Sequence, residues 1–188
     1  MLGRDQLKFA ESVRRHFAFL RQRGFKEVSA EDTLVRFSNG ALNIDVFHGR
    51  TSFEIGLEVE SADERFSLEE IARLSNASAA DECRRSSART QGAVDSGVAD
   101  VAKTFESHGA RALHDFTALL PELQAQREAW LQQFEQEVLA RQLRPKAEQA
   151  FRERRYPEAA ALYQRFSSQL TPAERKKLEV ARRRTTAS

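Results

Sequence analysis

Apolar and polar residues alternate over residues 35–57, with the period of two that is typical of a half-buried β-strand. Two dipeptides interrupt the alternation. Asn39-Gly40 favours a two-residue type I′ turn, and Gly49-Arg50 has its glycine first, as a type II′ turn requires. The pattern therefore predicts a three-stranded antiparallel β-meander with one apolar face. The residues predicted on that face are Val35, Phe37, Leu42, Ile44, Val46, Phe53, Ile55 and Leu57.

The segment before the meander is predicted to be a helix over residues 5–23 that covers the apolar face. Its apolar residues recur at spacings of four, four and three, which places them on one side of a helix. These residues are Phe9, Val13, Phe17 and Leu20. Gly24 follows as the expected left-handed C-cap. After the meander, Ser67 and Glu70 form a capping-box pattern that starts a short helix over residues 67–74.

Residues 1–75 are thus predicted to form an α-β-β-β-α unit. The next stretch, residues 76–97, is rich in Ser, Ala, Arg and Gly and has no sustained apolar stripe. It is interpreted as a flexible linker or loop. Its single cysteine, Cys83, is interpreted as an incidental residue rather than a catalytic one.

Helical periodicity returns after the linker in two segments that Pro121 separates. Because proline is tolerated in the first turn of a helix but not inside one, an antiparallel hairpin of residues 97–120 and 122–143 is predicted. The single tryptophan, Trp130, is expected to pack in the core or between helices. The predicted fold class is α+β: an N-terminal helix on a three-stranded antiparallel β-meander, then an α-helical bundle of about five helices over residues 98–188.

The run AEQAFRERRYPEAAALYQRFSSQLTPAERKKLEVARRR combines small and aromatic residues in a pattern that is found in paired helices. The residues concerned are Ala150, Phe151, Tyr156, Ala159, Tyr163 and Pro172. Residues 146–184 resemble a single tetratricopeptide-type helical hairpin followed by the start of a third helix. The resemblance implies that the alanines let two helices approach closely while the aromatic rings fill the gaps. Arginines occupy the turn before Tyr156, where that family usually has glycine.

The face of the meander opposite the apolar one is predicted to carry charged residues and one aromatic residue. The turns place Asp45 directly opposite Glu54, and like charges in such a pair repel each other. Three interpretations stay open: Arg36, as a diagonal neighbour, or solvent neutralises the pair; a cationic partner binds there; or the two carboxylates are an acid/base pair. The predicted partner-binding residues are Asp45, Phe47, Glu54, Glu58 and Arg36.

The composition is that of an ordinary globular chain, with 40% hydrophobic residues, 31% charged residues and a mean hydropathy of −0.60. No window approaches the roughly 18 apolar residues of a membrane span, and the start has no secretory apolar segment. A cytoplasmic protein without a membrane partner is therefore expected. One cysteine and no Cys/His cluster argue against bound zinc or another metal. Because no phosphate loop, metal-binding set or nucleophile elbow is present, neither enzymatic activity nor a cofactor is expected.

The net charge of +2 conceals an uneven distribution. Residues 31–70 hold ten acidic residues against three basic ones, whereas residues 141–188 hold thirteen basic residues against five acidic ones. An acidic surface suits a basic partner, and a basic helical end suits nucleic acid or an acidic protein surface.

By layout and charge, the chain is similar to small bacterial immunity proteins, which neutralise a toxin. This resemblance implies a non-catalytic, antitoxin-type interaction module that binds a basic protein through the sheet face. The alternative is a protein that binds nucleic acid non-specifically through its C-terminal helices. The residues predicted for that alternative are Arg152, Arg154, Arg155, Lys176, Lys177, Arg182, Arg183 and Arg184. A homodimer also stays open, because a single repeat-type hairpin leaves one side uncovered.

Overall fold

The computed structural model describes residues 4–61, 64–76, 78, 80, 83 and 87–186. It confirms the α+β class, with N-terminal helices, an antiparallel sheet and then a region of several helices. The chain divides into two compact units, Met1–Gln126 and Arg127–Ser188. Each unit has its own hydrophobic core.

The sheet of the first unit has five antiparallel strands in sequential order, not the predicted three. The strands are β1 (Lys26–Ala30), β2 (Leu34–Ser38), β3 (Asn43–His48), β4 (Ile55–Ser61) and β5 (Glu64–Ser67). The two additional strands lack the alternation that predicts a strand. β1 is mostly exposed and has an irregular register between Glu27 and Ser29, and only Phe66 is buried in β5.

The first hairpin has a four-residue loop instead of the predicted two-residue turn. Ser38 pairs with Asn43, and the Asn39 side chain accepts hydrogen bonds from the backbone N–H groups of Ala41 (3.1 Å) and Leu42 (2.8 Å). The predicted register is therefore wrong by two residues. Because the shift is even, every strand residue keeps its predicted face.

The second hairpin differs more, since His48 pairs with Ile55 rather than with Thr51. Phe53 lies in the resulting loop with φ 59°, so its placement on the apolar face of a strand was wrong. This shift of four residues is also even. The other residues predicted on the apolar face are all buried in the core: Val35, Phe37, Leu42, Ile44, Val46, Ile55 and Leu57.

The helix predicted over residues 5–23 is divided into shorter pieces. They are a 3₁₀ helix (Arg4–Leu7), α1 (Phe9–His16) and α2 (Phe19–Gln22). Lys8, with a left-handed φ of 52°, separates the first two. The four apolar residues that were expected to cover the sheet are nevertheless buried: Phe9, Val13, Phe17 and Leu20.

Gly24 ends α2 as predicted, with φ 84°. Its N–H donates to the Arg21 carbonyl at 3.2 Å, and the N–H of Phe25 donates to the Leu20 carbonyl at 3.1 Å. These two bonds define a Schellman motif, in which glycine adopts the left-handed conformation without a steric penalty.

The predicted capping box is present at the start of α3 (Leu68–Ser75). The Ser67 side chain accepts a hydrogen bond from the N–H of Glu70, and the Glu70 carboxylate accepts one from the N–H of Ser67 at 2.8 Å. Two backbone donors at the helix start are thereby satisfied.

The predicted linker, residues 76–97, lies only partly within the described residues, and its last part is helical. α4 (Gln91–His108) begins after Thr90, whose side chain accepts a hydrogen bond from the N–H of Ala93 at 3.2 Å. α5 (Ala110–His114) follows. α4 packs against α1 and β4 and so completes the core of the first unit.

The longest helix, α6 (Phe116–Arg152), continues through Pro121, so the predicted break at this residue was wrong. The helical stretch is interrupted earlier, at Asp115. The side chain of this residue accepts a hydrogen bond from the N–H of Ala118 at 3.0 Å. Pro121 is the sixth residue of α6, and its missing N–H removes only the bond to the Thr117 carbonyl.

The second unit contains the part of α6 that follows Gln126, then α7 (Tyr156–Arg165), a 3₁₀ turn (Ser167–Gln169) and α8 (Pro172–Thr186). Small and aromatic residues from these helices line its core. The buried residues are Ala140, Leu143, Ala147, Ala150, Ala159, Tyr163, Phe166, Leu170, Leu178 and Ala181.

Candidate interaction surfaces

The open face of the sheet places Asp45 between Arg36 on β2 and Glu58 on β4. The predicted pairing of Asp45 with Glu54 was therefore wrong, and Arg36 is a direct rather than a diagonal neighbour. Glu54 precedes β4, and its backbone forms an isolated antiparallel bridge with Ser87. Three of the five predicted partner-binding residues thus lie side by side on adjacent strands.

Arg36 neutralises the carboxylates that surround it. Its Nε and Nη2 atoms each donate a hydrogen bond of 2.6 Å to Asp45, and Nη2 also donates to Glu60 at 2.9 Å. Asp45 is only 4% exposed, and its hydrogen bonds raise the pKa of Arg36. Arg65 extends the network to Glu60 (3.3 Å) and Glu58 (3.8 Å). The carboxylates on this face are therefore largely compensated within the sheet.

Phe47 lies directly opposite Gly56, and its ring covers the glycine backbone. A Cβ atom at position 56 would lie 2.3 Å from Cζ of Phe47, so only glycine leaves room for the ring as it is placed. Phe47 is half-buried, and the side chain of Glu58 is 37% exposed. These two residues are accessible members of the predicted site on the strands.

The basic residues predicted to contact nucleic acid lie between the end of α6 and the end of α8, and some of them bind acidic side chains. Lys177 donates to both carboxylate oxygens of Glu148 (2.7 and 2.5 Å), and Arg155 pairs with Glu153 at 2.6 Å. These ion pairs reduce the positive charge that the residue count suggests. The other predicted residues are all exposed: Arg152, Arg154, Lys176, Arg182, Arg183 and Arg184.

An exposed apolar surface on α6 was not predicted from the sequence. Trp130, Leu131 and Phe134 are 50%, 46% and 50% exposed, so Trp130 does not pack in a core, which was the first of the two placements predicted for it. The rings of Trp130 and Phe134 are stacked, with centroids 5.4 Å apart and an interplanar angle of 12°. These three residues are called the α6 stripe below. Exposed aromatic residues such as these are enriched in protein–protein interfaces.

The stripe is exposed because the buried face of α6 changes sides along the helix, which the sequence reveals only once the core residues are known. The core residues of this helix in the second unit begin at Ala140 and Leu143. With about 3.6 residues per turn, Phe134 lies on the side of the helix opposite Leu143. The apolar positions of the stripe therefore do not continue the buried face, although both sets have helical spacing.

A serine, a histidine and an aspartate meet between α1 and α4. Asp95 accepts hydrogen bonds from Ser12 Oγ (2.5 Å), His16 Nε2 (2.9 Å) and Arg15. These bonds, that of Ser12 first, lower the pKa of Asp95 to about 2. Ser12 and His16 bind the same carboxylate oxygen rather than each other. The cluster therefore joins two helices and is not arranged as a Ser-His-Asp relay.

Among the residues that the structure describes, no group of three His, Cys, Asp or Glu side chains could hold a metal ion. The same part of the chain contains no helix whose length and apolar composition would suffice to cross a membrane.

Comparison with known proteins returns no relative. No protein-family model matches the chain, and no curated protein or solved structure matches it either. The resemblances to a tetratricopeptide hairpin and to immunity proteins therefore stay predictions.

Proposed function

We propose that this chain is a protein-interaction module whose contact surface includes the α6 stripe. The observation that supports this function is the stacked, half-exposed pair of Trp130 and Phe134 beside Leu131. Aromatic side chains at the centre of an interface often contribute most of its binding energy. A surface of this kind suits a partner that covers it with apolar side chains.

Covering the stripe would contribute measurably to binding. An aromatic side chain can bury roughly 150–250 Å², so covering the exposed half of Trp130 removes about 100 Å² from water. At about 25 cal/mol per Å², this contributes about 2.5 kcal/mol. Because aromatic side chains have only two rotatable bonds, fixing them in an interface loses little conformational entropy.

The acidic sheet face is a second candidate surface for the same function. A basic protein partner, as for an immunity or antitoxin-type protein, would contact the accessible Glu58 and Phe47, with Glu54 nearby. The excess of acidic residues over residues 31–70 supports this version. Since Asp45 and Arg36 hold the strands together, the informative substitutions are Glu54→Lys and Glu58→Lys.

Binding of nucleic acid by the C-terminal helices is the alternative function, and the six exposed arginines and lysines named above favour it. Such binding would be independent of base sequence and would weaken steeply with salt. A filter-binding assay at low salt that retains no nucleic acid would exclude it. Retention that disappears at moderate salt would support it.

Affinity capture with the tagged chain tests the proposed surface. The Trp130→Ser/Phe134→Ser double variant removes the stacked rings, and the Gln132→Ser/Gln136→Ser double variant is a matched control on the same turns of α6. With the chain at high concentration, the proposal predicts that the wild-type chain and the control variant retain a stoichiometric protein at high salt, whereas the first variant loses it. Equal capture by all three chains would contradict the proposal.

A further inference from the structure

We infer that the partner that covers the α6 stripe is a second copy of this chain, bound with the two α6 helices antiparallel. This inference rests on the proposed function, because it names the occupant of the same surface. It follows from the spacing, the symmetry and the charges of four residues on α6.

The four residues are Arg127, Trp130, Phe134 and Glu137. They are separated by three, four and three positions, which is the spacing of the contact seam between paired helices. Glu137 is exposed and Arg127 is half-buried, so one charged residue lies at each end of the aromatic pair. The seam is therefore apolar in its centre and charged at both ends.

The seam is symmetric about Gln132. Trp130 and Phe134 each lie two positions from it, and Arg127 and Glu137 each lie five positions from it. In an antiparallel pair whose two-fold axis crosses α6 at the level of position 132, on the side of the helix away from the Gln132 side chain, Trp130 of one copy packs against Phe134 of the other. One surface patch thus binds an identical patch, as a two-fold dimer requires.

The charges at the ends select the antiparallel orientation. When two copies pair in this way, Arg127 of one copy lies next to Glu137 of the other, and the same contact recurs at the opposite end. A parallel pair would instead place Arg127 next to Arg127 and Glu137 next to Glu137. Opposite charges attract across such a seam and like charges repel, so the sequence of charges favours a second copy in the antiparallel orientation.

The area of the seam predicts a weak dimer. Covering the exposed halves of two aromatic residues and one leucine on each copy buries roughly 500–600 Å² in total. This area lies well below the roughly 1,200 Å² of stable interfaces, so any dimer formed through the seam alone is weak. We therefore expect a monomer at low protein concentration and a dimer at high concentration.

Sedimentation velocity of the purified chain tests the inference, over roughly 10–500 µM because an interface of this size binds weakly. The wild-type chain should shift from monomer to dimer. Arg127→Glu alone and Glu137→Arg alone should each shift the dissociation constant upward by about tenfold or more, since each places like charges together. Thermal melts of every variant establish that it remains folded.

Two combinations distinguish this geometry from a general loss of stability. A chain that carries both Arg127→Glu and Glu137→Arg should dimerise again, and so should an equimolar mixture of the two single variants. Recovery by the double variant is not expected for a parallel pair, in which like charges would still meet, whereas the mixture places opposite charges together in either orientation and tests only the charge pairing. A folded double variant that stays monomeric would overturn the antiparallel geometry.

The inference and the proposed function fail in different ways. The wild-type chain could stay monomeric at every concentration and yet capture a partner that the Trp130→Ser/Phe134→Ser variant loses. That result would overturn the inference of a second copy and support the proposed interaction surface. If the double variant sediments and captures protein in the same way as the wild-type chain, both the inference and the proposed surface are wrong.

Discussion

Arg36 and Asp45 face each other across β2 and β3, and the Arg36 guanidinium holds the buried carboxylate through two hydrogen bonds of 2.6 Å. A guanidinium matches both oxygens of a carboxylate, which makes such pairs strong and directional. The same guanidinium binds Glu60, so one cation serves three neighbouring strands. The pair is therefore part of the sheet's structure rather than an unpaired acidic site.

Replacing Arg36 should destabilise the first unit. Arg36→Met leaves the Asp45 carboxylate buried without its counter-charge, which we expect to lower the free energy of unfolding by about 3 kcal/mol. The Arg36→Met/Asp45→Leu double variant should lose less than Arg36→Met alone, because it no longer buries a charge. Urea denaturation of the three chains measures the difference. A double variant that is less stable than Arg36→Met would contradict this interpretation of the pair.

The turn after α6 repeats the turn after α2 without its glycine. Arg154 has φ 60°, its N–H donates to the Phe151 carbonyl at 3.1 Å, and the N–H of Arg155 donates to the Ala150 carbonyl at 2.9 Å. This is the Schellman pattern seen at Gly24. An arginine in this conformation is strained, because its Cβ is crowded by the backbone.

Arg154→Gly should stabilise the second unit. Removing the strain gains about 1–2 kcal/mol, and the greater freedom of glycine in the unfolded chain offsets about 0.5–1 kcal/mol of this. Arg154→Ala is the matched control, since it removes the same side chain but keeps a Cβ at positive φ. Thermal unfolding should rank the glycine variant above both other chains. Equal melting temperatures for the glycine and alanine variants would show that no strain is stored at this residue.

His48 is buried in the core of the first unit in its neutral form. Its Nε2–H donates to the Ala88 carbonyl at 2.9 Å, and the Arg4 guanidinium lies 3.5 Å from its Nδ1. Burial lowers the pKa of His48 below its ordinary value of 6.5, and the charge of Arg4 lowers it further. Protonation of His48 would place a second positive charge beside Arg4 in a site that water does not reach.

The stability of the first unit should therefore fall as the pH drops below 6.5. Between the lowered pKa and 6.5, the unfolded chain binds a proton at His48 that the folded chain does not bind, and each such proton favours unfolding. His48→Gln retains a donor for the Ala88 carbonyl but cannot titrate. Urea denaturation at a series of pH values should show a shallower decline for this variant. Parallel curves for the two chains would exclude His48 as the cause.

The faces of the central strands were predictable from the sequence, but the pairing between strands was not. The alternation from Val35 to Leu57 depends only on which residues are buried, and even shifts of register preserve it. The lengths of both loops depend on local bonds that a dipeptide rule ignores. The Asn39 side chain extends the first loop, and the left-handed conformation of Phe53 extends the second.

The candidate surfaces were predicted less completely. The sequence identified Asp45 and Arg36 as neighbours, yet their burial and bidentate pairing depend on the register that it misplaced. Trp130 was expected in a core or between helices, because large aromatic residues are highly buried on average. Trp130 is exposed because the buried face of α6 from Ala140 onward lies on another side of the helix. This is recognised only once those buried residues are known.

The most direct test of the α6 stripe as a contact surface is collisional quenching of tryptophan fluorescence by acrylamide. Trp130 is the single tryptophan of the chain, so the signal reports on the stripe alone. The wild-type chain should become less accessible to acrylamide as its concentration rises, because a second copy covers the ring. The Glu137→Arg chain should remain accessible over the same range. Equal quenching of the wild-type chain at low and high concentration would contradict a second copy on the stripe.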